Sequence, residues 1–259
     1  MLSDIKNIYI FKDMLFELTH RELRGKYKGS VLGFLWTYIN PLAQMVVYYF
    51  VFSQIFKSGI EQFHIYLIVS MFPWNMFVGG VIQGLGSIRY QGDLVKKVYF
   101  PRQILPMVSL TVNCVNMLIS FVIIYSILLI TGWGINLTIQ GWLLLVILIE
   151  YLFSLGLALL LAAVEVYFRD IEHIISVLMM VWMYATPMFY SMDAIPEKFL
   201  SLFRLNPMLY IIGMYQQILY YKVAPEPLYL IKASVSAVVS LVAGWIVFAM
   251  LEKRFAEEL

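Results

Sequence analysis

Residues 21–42, RELRGKYKGSVLGFLWTYINPL, decide the fold, because a basic run passes without a break into an apolar one. The cations are Arg21, Arg24, Lys26 and Lys28, with Lys12 a little upstream. The apolar part begins at Val31. A basic run of this kind binds nucleic acid, binds anionic lipid or marks the cytoplasmic end of a membrane span. The rest of the chain distinguishes these three functions.

The composition places the chain in a membrane. Of its 259 residues, 62% are hydrophobic and only 13% are charged, whereas a soluble domain carries about 25% charged residues. The formal net charge of +2 gives no global cationic field that would recruit a polyanion. We therefore expect no nucleic acid among the partners.

Six apolar runs are long enough to cross a bilayer, which takes about 20 residues per helix. They cover residues 31–56, 65–88, 107–131, 142–166, 171–190 and 229–251. The sequence therefore predicts an all-α integral membrane protein with a single domain over residues 1–259. This domain consists of an N-terminal amphipathic segment (1–30), a six-span bundle (31–251) and a short tail (252–259).

Lysines and arginines in the short connections predict the orientation, since they are in excess on the cytoplasmic side. They concentrate in the N-terminal segment, the second and fourth connections and the C-terminus. The first connection has only Lys57, and the third, residues 132–141, has no charged residue. Both termini are therefore expected to be cytoplasmic, with the basic run at the inner leaflet.

The N-terminal segment has the pattern of an interfacial helix. Between residues 4 and 28, polar residues recur at helical spacing, and an apolar stripe consists of Ile8, Phe11, Leu15 and Leu18. Such a helix is expected to lie in the membrane plane. Gly25 and Gly29 then permit the turn from the surface into the first span.

Two cytoplasmic connections have features of docking segments. The second, IRYQGDLVKKVYFPRQILP (88–106), contains a short amphipathic helix. Gly92 and Asp93 can begin this helix, and Pro101 can end it. The fourth, VYFRDIEH (166–173), places Arg169, Asp170 and Glu172 between two apolar runs. Each is either a solvated loop on the positive-inside side or a docking point for a cytoplasmic subunit.

The fifth connection has two proline-led apolar pieces, residues 195–203 and 206–221. Both are too short for a full span and suit interfacial or re-entrant helices. Backbone that enters a membrane without crossing it must be surrounded by protein or water. We therefore expect a hairpin of short re-entrant helices at the outer mouth of a pathway.

The chain lacks the motifs of nucleotide binding and catalysis. It has no G-x-x-x-x-G-K-[ST] loop, no H-E-x-x-H and no G-x-S-x-G. The histidines His20, His64 and His173 are dispersed and fit no metal-binding spacing. The sequence therefore predicts neither a metal site nor an enzyme.

Three ionisable residues lie within the predicted spans. Glu165 and Lys232 are close enough to span ends to reach the interface. Glu150 is deeper, and its carboxyl group either hydrogen-bonds a neighbouring helix or has a transport function. An ion relay requires several such groups in series, which argues against ion-coupled transport.

Aromatic residues make up 16% of the chain. Those within spans are Trp36, Tyr38, Tyr48, Tyr49, Phe52, Trp74, Phe77, Trp182, Tyr184, Phe189 and Tyr190. Such residues pack between helices or form interfacial belts. Their faces also suit sugars, which present apolar C–H groups for stacking and hydroxyls for hydrogen bonding.

Nearly the whole chain resembles the permease subunit of ABC-2 type exporters for lipid-linked polysaccharides, which serve O-antigen, teichoic acid and capsule. The resemblance lies, in this order, in RELRGKYKGSVLGFLWTYINPL, FPWNMF, VKKVYFPRQILP, YFRDIEHI and LNPM. It implies a bacterial inner (plasma) membrane protein that forms a homodimer with a channel between the copies. Two copies of a separate ATP-binding subunit would bind ATP and Mg, and this chain would have no cofactor of its own.

The resemblance also implies functional roles for several segments. The N-terminal helix would gate the cytoplasmic entrance, where Arg21, Arg24, Tyr27 and Lys28 would meet the phosphate of a polyprenyl-linked glycan. Coupling to the ATPase would use Gln91, Asp93, Leu94, Lys96, Lys97, Tyr99 and Pro101, together with Tyr167, Arg169, Asp170 and Glu172. The span aromatics would line the channel, and residues 195–221 would form its outer gate.

Two alternatives remain open at this point. One is an ABC-2 permease of the same architecture that moves a drug or a simple lipid. The other is a membrane component of glycan assembly that does not transport. An exporter subunit must associate with an ATPase, whereas an assembly component need not.

Overall fold

The computed structural model describes residues 2–25, 29–55 and 59–258, and all regular structure in these ranges is helical. Lys26, Tyr27 and Lys28 of the basic run lie outside the described residues. So do Phe56 and Lys57, which follow the first apolar run. The predicted all-α class is confirmed for the part that is described.

The N-terminal segment forms two consecutive helices, α1 (Leu2–Ile10) and α2 (Lys12–Gly25). Leu18 is buried, and Phe11 and Leu15 pack against the core. The apolar stripe therefore contacts protein here, and a position of this segment in the membrane plane stays a prediction. After α2, Gly29 has a φ of +84°, a backbone angle that glycine adopts without strain. This glycine therefore permits the turn expected between the N-terminal helices and the first apolar run.

The first apolar run is helical but not uniformly so. α3 (Trp36–Tyr49) follows a 3₁₀ turn at Gly33–Leu35 and continues as a π-helical segment at Phe50–Ile55. π-helical turns are uncommon and often mark functional positions. α3 alone has 14 residues, which is shorter than a full span.

The middle of the chain contains three long helices, α4 (Phe63–Tyr90), α6 (Ile104–Ile130) and α7 (Trp142–Glu165). The short helix α5 (Gly92–Lys97) lies between α4 and α6. The remaining helices are α8 (Ile171–Tyr184), α9 (Glu197–Phe203), α10 (Pro207–Tyr215), α11 (Pro227–Leu251) and α12 (Phe255–Glu258). Within the described ranges, α4, α6, α7 and α11 are long and apolar enough to cross a membrane.

The predicted fifth span is shorter than expected. The prediction of one helix over 171–190 is wrong in its last part, because α8 ends at Tyr184. Pro187 has no N–H to donate, and a following proline disfavours the helical conformation for Thr186. The 14 residues of α8 reach about 21 Å, less than the ~30 Å of a hydrocarbon core.

α4 is the central helix of the bundle and is buried along most of its length against α6 and α7. α7 packs in turn on α11 at a very close crossing. A Cβ added to Gly244 would lie 2.0 Å from the carbonyl oxygen of Gly156, and Ser240 Oγ donates a hydrogen bond to Phe153 O at 2.9 Å. Small residues thus let these two helices approach, as is usual in membrane bundles.

The fifth connection forms short helices, as the two proline-led pieces predict. Asn206 caps α10: its side chain accepts a hydrogen bond from Met208 N, and Pro207 occupies the first turn. A π-helical segment, Gln216–Tyr220, extends α10. Every residue from 208 to 220 is buried, against α4, α7 and α11. Protein therefore surrounds this segment, as a re-entrant helix requires.

Candidate functional site

A cluster of charged residues joins the last turns of α4 and α7 to the start of α8. Arg89 Nε lies 2.7 Å from Glu165 Oε1, and Arg89 Nη2 lies 2.7 Å from Glu172 Oε2. The Tyr90 hydroxyl donates to Glu172 Oε1 at 2.8 Å. The guanidinium of Arg89 therefore holds together the ends of both predicted coupling connections.

The burial of Glu165 corrects one expectation. Its proximity to a span end predicted that it would extend to the interface, yet its side chain is fully buried. The ion pair with Arg89 offsets part of the cost of removing this carboxylate from water. Lys232 also has a partner inside the protein, since its Nζ donates to Tyr210 Oη at 2.8 Å.

Further contacts bring the N- and C-terminal segments to the same end of the bundle. Gln91 Nε2 donates to Glu22 Oε1 at 3.3 Å, which connects α2 to the start of α5. The Tyr167 hydroxyl donates to Leu251 O at 2.9 Å, and Gln103 Nε2 donates to Glu252 Oε2 at 3.0 Å. All four segments that are rich in lysine and arginine therefore converge at this end.

The predicted coupling residues differ in their exposure. Exposed residues are Asp93, Lys96, Lys97 and Tyr99 in the second connection and Arg169 and Asp170 in the fourth. Half-buried residues are Gln91, Leu94 and Pro101, together with Tyr167 and Glu172. Tyr99 is 90% exposed and follows α5, which ends at Lys97 as the pattern before Pro101 predicts. This arrangement presents an aromatic side chain and several charges to solvent.

Two residues of the predicted head-group cluster lie within the described residues, Arg21 and Arg24. Both are exposed near the C-terminal end of α2. Arg21 lines a cavity of about 510 Å³ together with Glu22, Gly25, Gln83 and Val112. The other two predicted members, Tyr27 and Lys28, lie outside the described residues.

A second cavity, of about 510 Å³, lies between α3, α4 and α6. We call it the carboxamide groove, because its walls include Asn40, Gln44, Asn75, Asn113 and Asn116. Sequence analysis missed it, since these residues are distributed over three different apolar runs. A count of carboxamides per span is the one signal that could have found it.

Glu150 is fully buried and connects α7 to α10. The Tyr215 hydroxyl donates to Glu150 Oε2 at 2.5 Å. Nearby, Gln216 Nε2 donates to Ser70 Oγ and to Pro187 O, both at 2.9 Å. This geometry favours the structural alternative for Glu150, a hydrogen bond to a neighbouring helix.

The predicted channel aromatics separate into two groups. Phe189 contacts the first group, with ring centroids 4.9 Å from Tyr48, 4.7 Å from Phe52 and 5.7 Å from Tyr184. This group joins α3 and its π-helical extension to the end of α8. Trp36 at the start of α3 is 43% exposed, and Tyr49 and Tyr190 are half-buried. Tyr184 is 50% exposed and Tyr48 and Phe52 are half-buried, whereas Phe189 itself is buried.

The second group is part of the packed core. Phe77 is fully buried, and its ring lies 5.7 Å from Phe153 and 5.3 Å from Trp182. Trp74 and Tyr38 are also buried. Packing against neighbouring helices therefore buries Tyr38, Trp74 and Phe77 in this conformation. Their place in a channel stays a prediction.

The described ranges contain no group of three or more His, Cys, Asp or Glu side chains that could hold a metal ion. The site is thus a set of positioned helix ends, aromatic faces and carboxamides. Carboxamides and aromatic faces can hydrogen-bond and stack against a ligand.

Comparison with known proteins identifies the family. The family described as ABC-2 type transporter matches residues 14–220. The chain is 33% identical over its full length to the full length of O-antigen export system permease protein RfbA of Myxococcus xanthus. It is 29% identical to the protein of the same name from Klebsiella pneumoniae, over 96% of this chain and 95% of that one. Capsule polysaccharide export inner-membrane protein CtrC of Neisseria meningitidis is 22% identical, over 80% of this chain and 79% of that one. The chain therefore belongs to the ABC-2 type transporter family.

Proposed function

We propose that the chain is the transmembrane subunit of an ATP-driven exporter that moves lipid-linked polysaccharide from the cytoplasmic side across a bacterial inner membrane. The observation that carries this proposal is the full-length similarity to an O-antigen export permease. The cargo is a glycan of O-antigen or teichoic-acid type on a polyprenyl carrier. The chain itself supplies no catalytic group, and a separate subunit binds ATP and Mg.

The proposed architecture has six spans. α4, α6, α7 and α11 supply four of them. α3 with its π-helical extension reaches from Trp36 to Ile55, and α8 is prolonged by the buried segment around Pro187. These two supply the first and fifth spans, so that residues 31–251 form one bundle within a single domain.

The proposed orientation places both termini in the cytoplasm. Support comes from the convergence of the N-terminal segment, both basic connections and the C-terminus at one end of the bundle. Cytoplasmic loops carry the excess of lysine and arginine. α1 and α2 then lie along the inner leaflet as an amphipathic gate helix, and residues 195–221 lie at the outer mouth.

The proposed mechanism uses the two coupling connections. ATP binding in two copies of a partner subunit moves α5 and the segment from Tyr167 to Glu172. Because Arg89 joins both connections, they move together and shift α4 and α7 as rigid bodies. In a homodimer this motion opens a channel between the two copies. Arg21 and Arg24, with Tyr27 and Lys28, receive the anionic head of the cargo at the entrance.

A deletion in the source bacterium tests the proposal. An exporter predicts loss of surface glycan and accumulation of the lipid-linked glycan on the cytoplasmic leaflet, both reversed by the intact gene. A strain that makes no lipid-linked glycan would instead indicate a component of glycan assembly. Unchanged surface glycan would indicate a permease for a drug or a simple lipid.

Complementation with the Arg21→Gln, Arg24→Gln double variant tests the head-group site, and full export by a normally assembled variant would refute that site.

A further inference from the structure

We propose that the carboxamide groove between α3, α4 and α6 binds an uncharged sugar segment of the cargo within the membrane. This inference rests on the proposed function and assigns the glycan a site on each copy of the chain. The groove is distinct from the aromatic cluster around Phe189. None of the residues that line the groove belongs to that cluster.

The chemistry of the walls selects neutral hydroxyl-bearing ligands. A carboxamide offers both donors and acceptors, which matches a sugar hydroxyl, itself a donor and an acceptor. Among the described residues, no charged side chain lines the groove. Trp36 and Phe72 supply aromatic surface on which the apolar C–H face of a sugar can pack. A phosphate would therefore find no cation among the described lining residues.

One buried polar atom of the groove lacks a partner among the residues that the structure describes. Asn116 is only 6% exposed, and its Oδ1 accepts no hydrogen bond from the described residues. Leaving such an acceptor unpaired in a low-dielectric site costs free energy, and in hydrocarbon no water replaces the missing donor. A ligand hydroxyl in the groove would supply that donor.

The groove has a polar connection to the predicted entrance. Asn113 Nδ2 donates to Gln83 Oε1 at 3.0 Å, and Gln83 lines the cavity that also contains Arg21. At its other end the groove reaches Ser120, near the middle of α6. Polar groups therefore continue from Arg21 on α2 to the middle of the bundle. A cargo whose phosphate contacts Arg21 can place its first sugars along this line.

Site-specific photocrosslinking tests the inference. A benzophenone side chain at Asn40, on the rim of the groove, is compared with one at Val46, which lies on a different face of α3 and does not line the groove. The assembled exporter is stalled with a non-hydrolysable ATP analogue in membranes that carry sugar-radiolabelled glycan. We expect at least fivefold more label on the chain from position 40 than from position 46.

Equal labelling at both positions would overturn the inference. So would crosslinking from position 40 to a second copy of the chain instead of to glycan. If membranes from the unmodified strain export no glycan at all, the proposed function fails instead, so the two failures are distinguishable.

A matched pair of variants gives a second readout. Asn116→Leu removes the unpaired acceptor at similar volume, and Ser126→Ala removes a polar group from an exposed position of α6 outside the groove. We expect Asn116→Leu to lower the export rate about 2- to 10-fold, the usual worth of one neutral hydrogen bond, without loss of thermal stability. Ser126→Ala should change neither the export rate nor the thermal stability. If Asn116→Leu instead lowered the thermal stability and left the export rate unchanged, Asn116 would have a structural role only and the inference would fail.

Discussion

The guanidinium of Arg89 lies 2.7 Å from the carboxylate of Glu165, where the last turn of α4 meets the last turn of α7. Glu165 is fully buried, whereas the side chain of Arg89 is 31% exposed. A second carboxylate, that of Glu172, binds the other side of the same guanidinium. One arginine therefore fixes the geometry of both connections that we propose for coupling.

Removal of this cation should destabilise the protein. Arg89→Gln leaves the buried Glu165 carboxylate without its counter-charge, and we expect a loss of about 2–3 kcal/mol after allowance for the exposure of Arg89. The measurement is thermal unfolding of the detergent-solubilised chain. Lys97→Gln is the control, because Lys97 is exposed and its pair with Asp93 is long, at 3.7 Å. The double variant Arg89→Gln, Glu165→Gln should recover part of the loss, and no recovery would contradict an ion-pair explanation.

The close crossing of α7 and α11 should be sensitive to one methyl group. In Gly244→Ala the new Cβ would lie 2.0 Å from Gly156 O, so the helices must separate. We expect a loss of about 1–3 kcal/mol in the free energy of unfolding, measured in detergent. Gly141→Ala is the matched control, since nothing lies within 4 Å of the added atom. Equal stability of the two variants would show that the crossing is looser than described.

The hydrogen bond between Tyr215 and Glu150 should be structural. Tyr215→Phe removes the donor to a fully buried carboxyl group, and we expect a stability loss of about 1–3 kcal/mol. Glu150→Gln keeps an acceptor for Tyr215 and should retain both folding and export. Tyr221→Phe, at a residue that is 53% exposed, serves as the control. A well-folded Glu150→Gln variant without export would instead assign this carboxyl group a transport function.

Tyr99 should contribute to the contact with the ATP-binding subunit. It is 90% exposed next to α5, so Tyr99→Ala removes no internal packing. We expect the variant to fold normally and to retain at least threefold less ATPase subunit on affinity purification, because aromatic residues dominate binding energy at interfaces. Tyr9→Ala, at a residue that is 70% exposed on α1, is the control. Undiminished co-purification of the Tyr99 variant would exclude this position from the interface.

Hydropathy and length predicted the long helices well. The four long helices begin and end within three residues of the predicted runs, because each is a continuous apolar stretch that ends at polar residues or glycine. The end of α8 was not predictable in the same way. Residues 185–190 are apolar enough to continue a span, but Pro187 ends the regular hydrogen bonding, and buried contacts with Tyr66 and Gln216 hold the segment instead.

The sites could be predicted only where neighbouring residues in the sequence carry the pattern. Charge and turn residues around Gly92 indicated α5, and proline after Asn206 indicated the start of α10. The carboxamide groove depends on residues 40 and 116, which tertiary packing of three helices brings together. The partner of Glu165 likewise depends on which helix ends meet, and no spacing within one run reports that.

The most direct test of the central claim is a native mass spectrum of the chain after gentle extraction from its own membrane. The account predicts a particle with two copies of this chain and two copies of an ATP-binding protein, and a mass excess that corresponds to a polyprenyl-linked glycan. A lone monomer without a nucleotide-binding partner, under conditions that preserve other ABC transporters of that membrane, would contradict it.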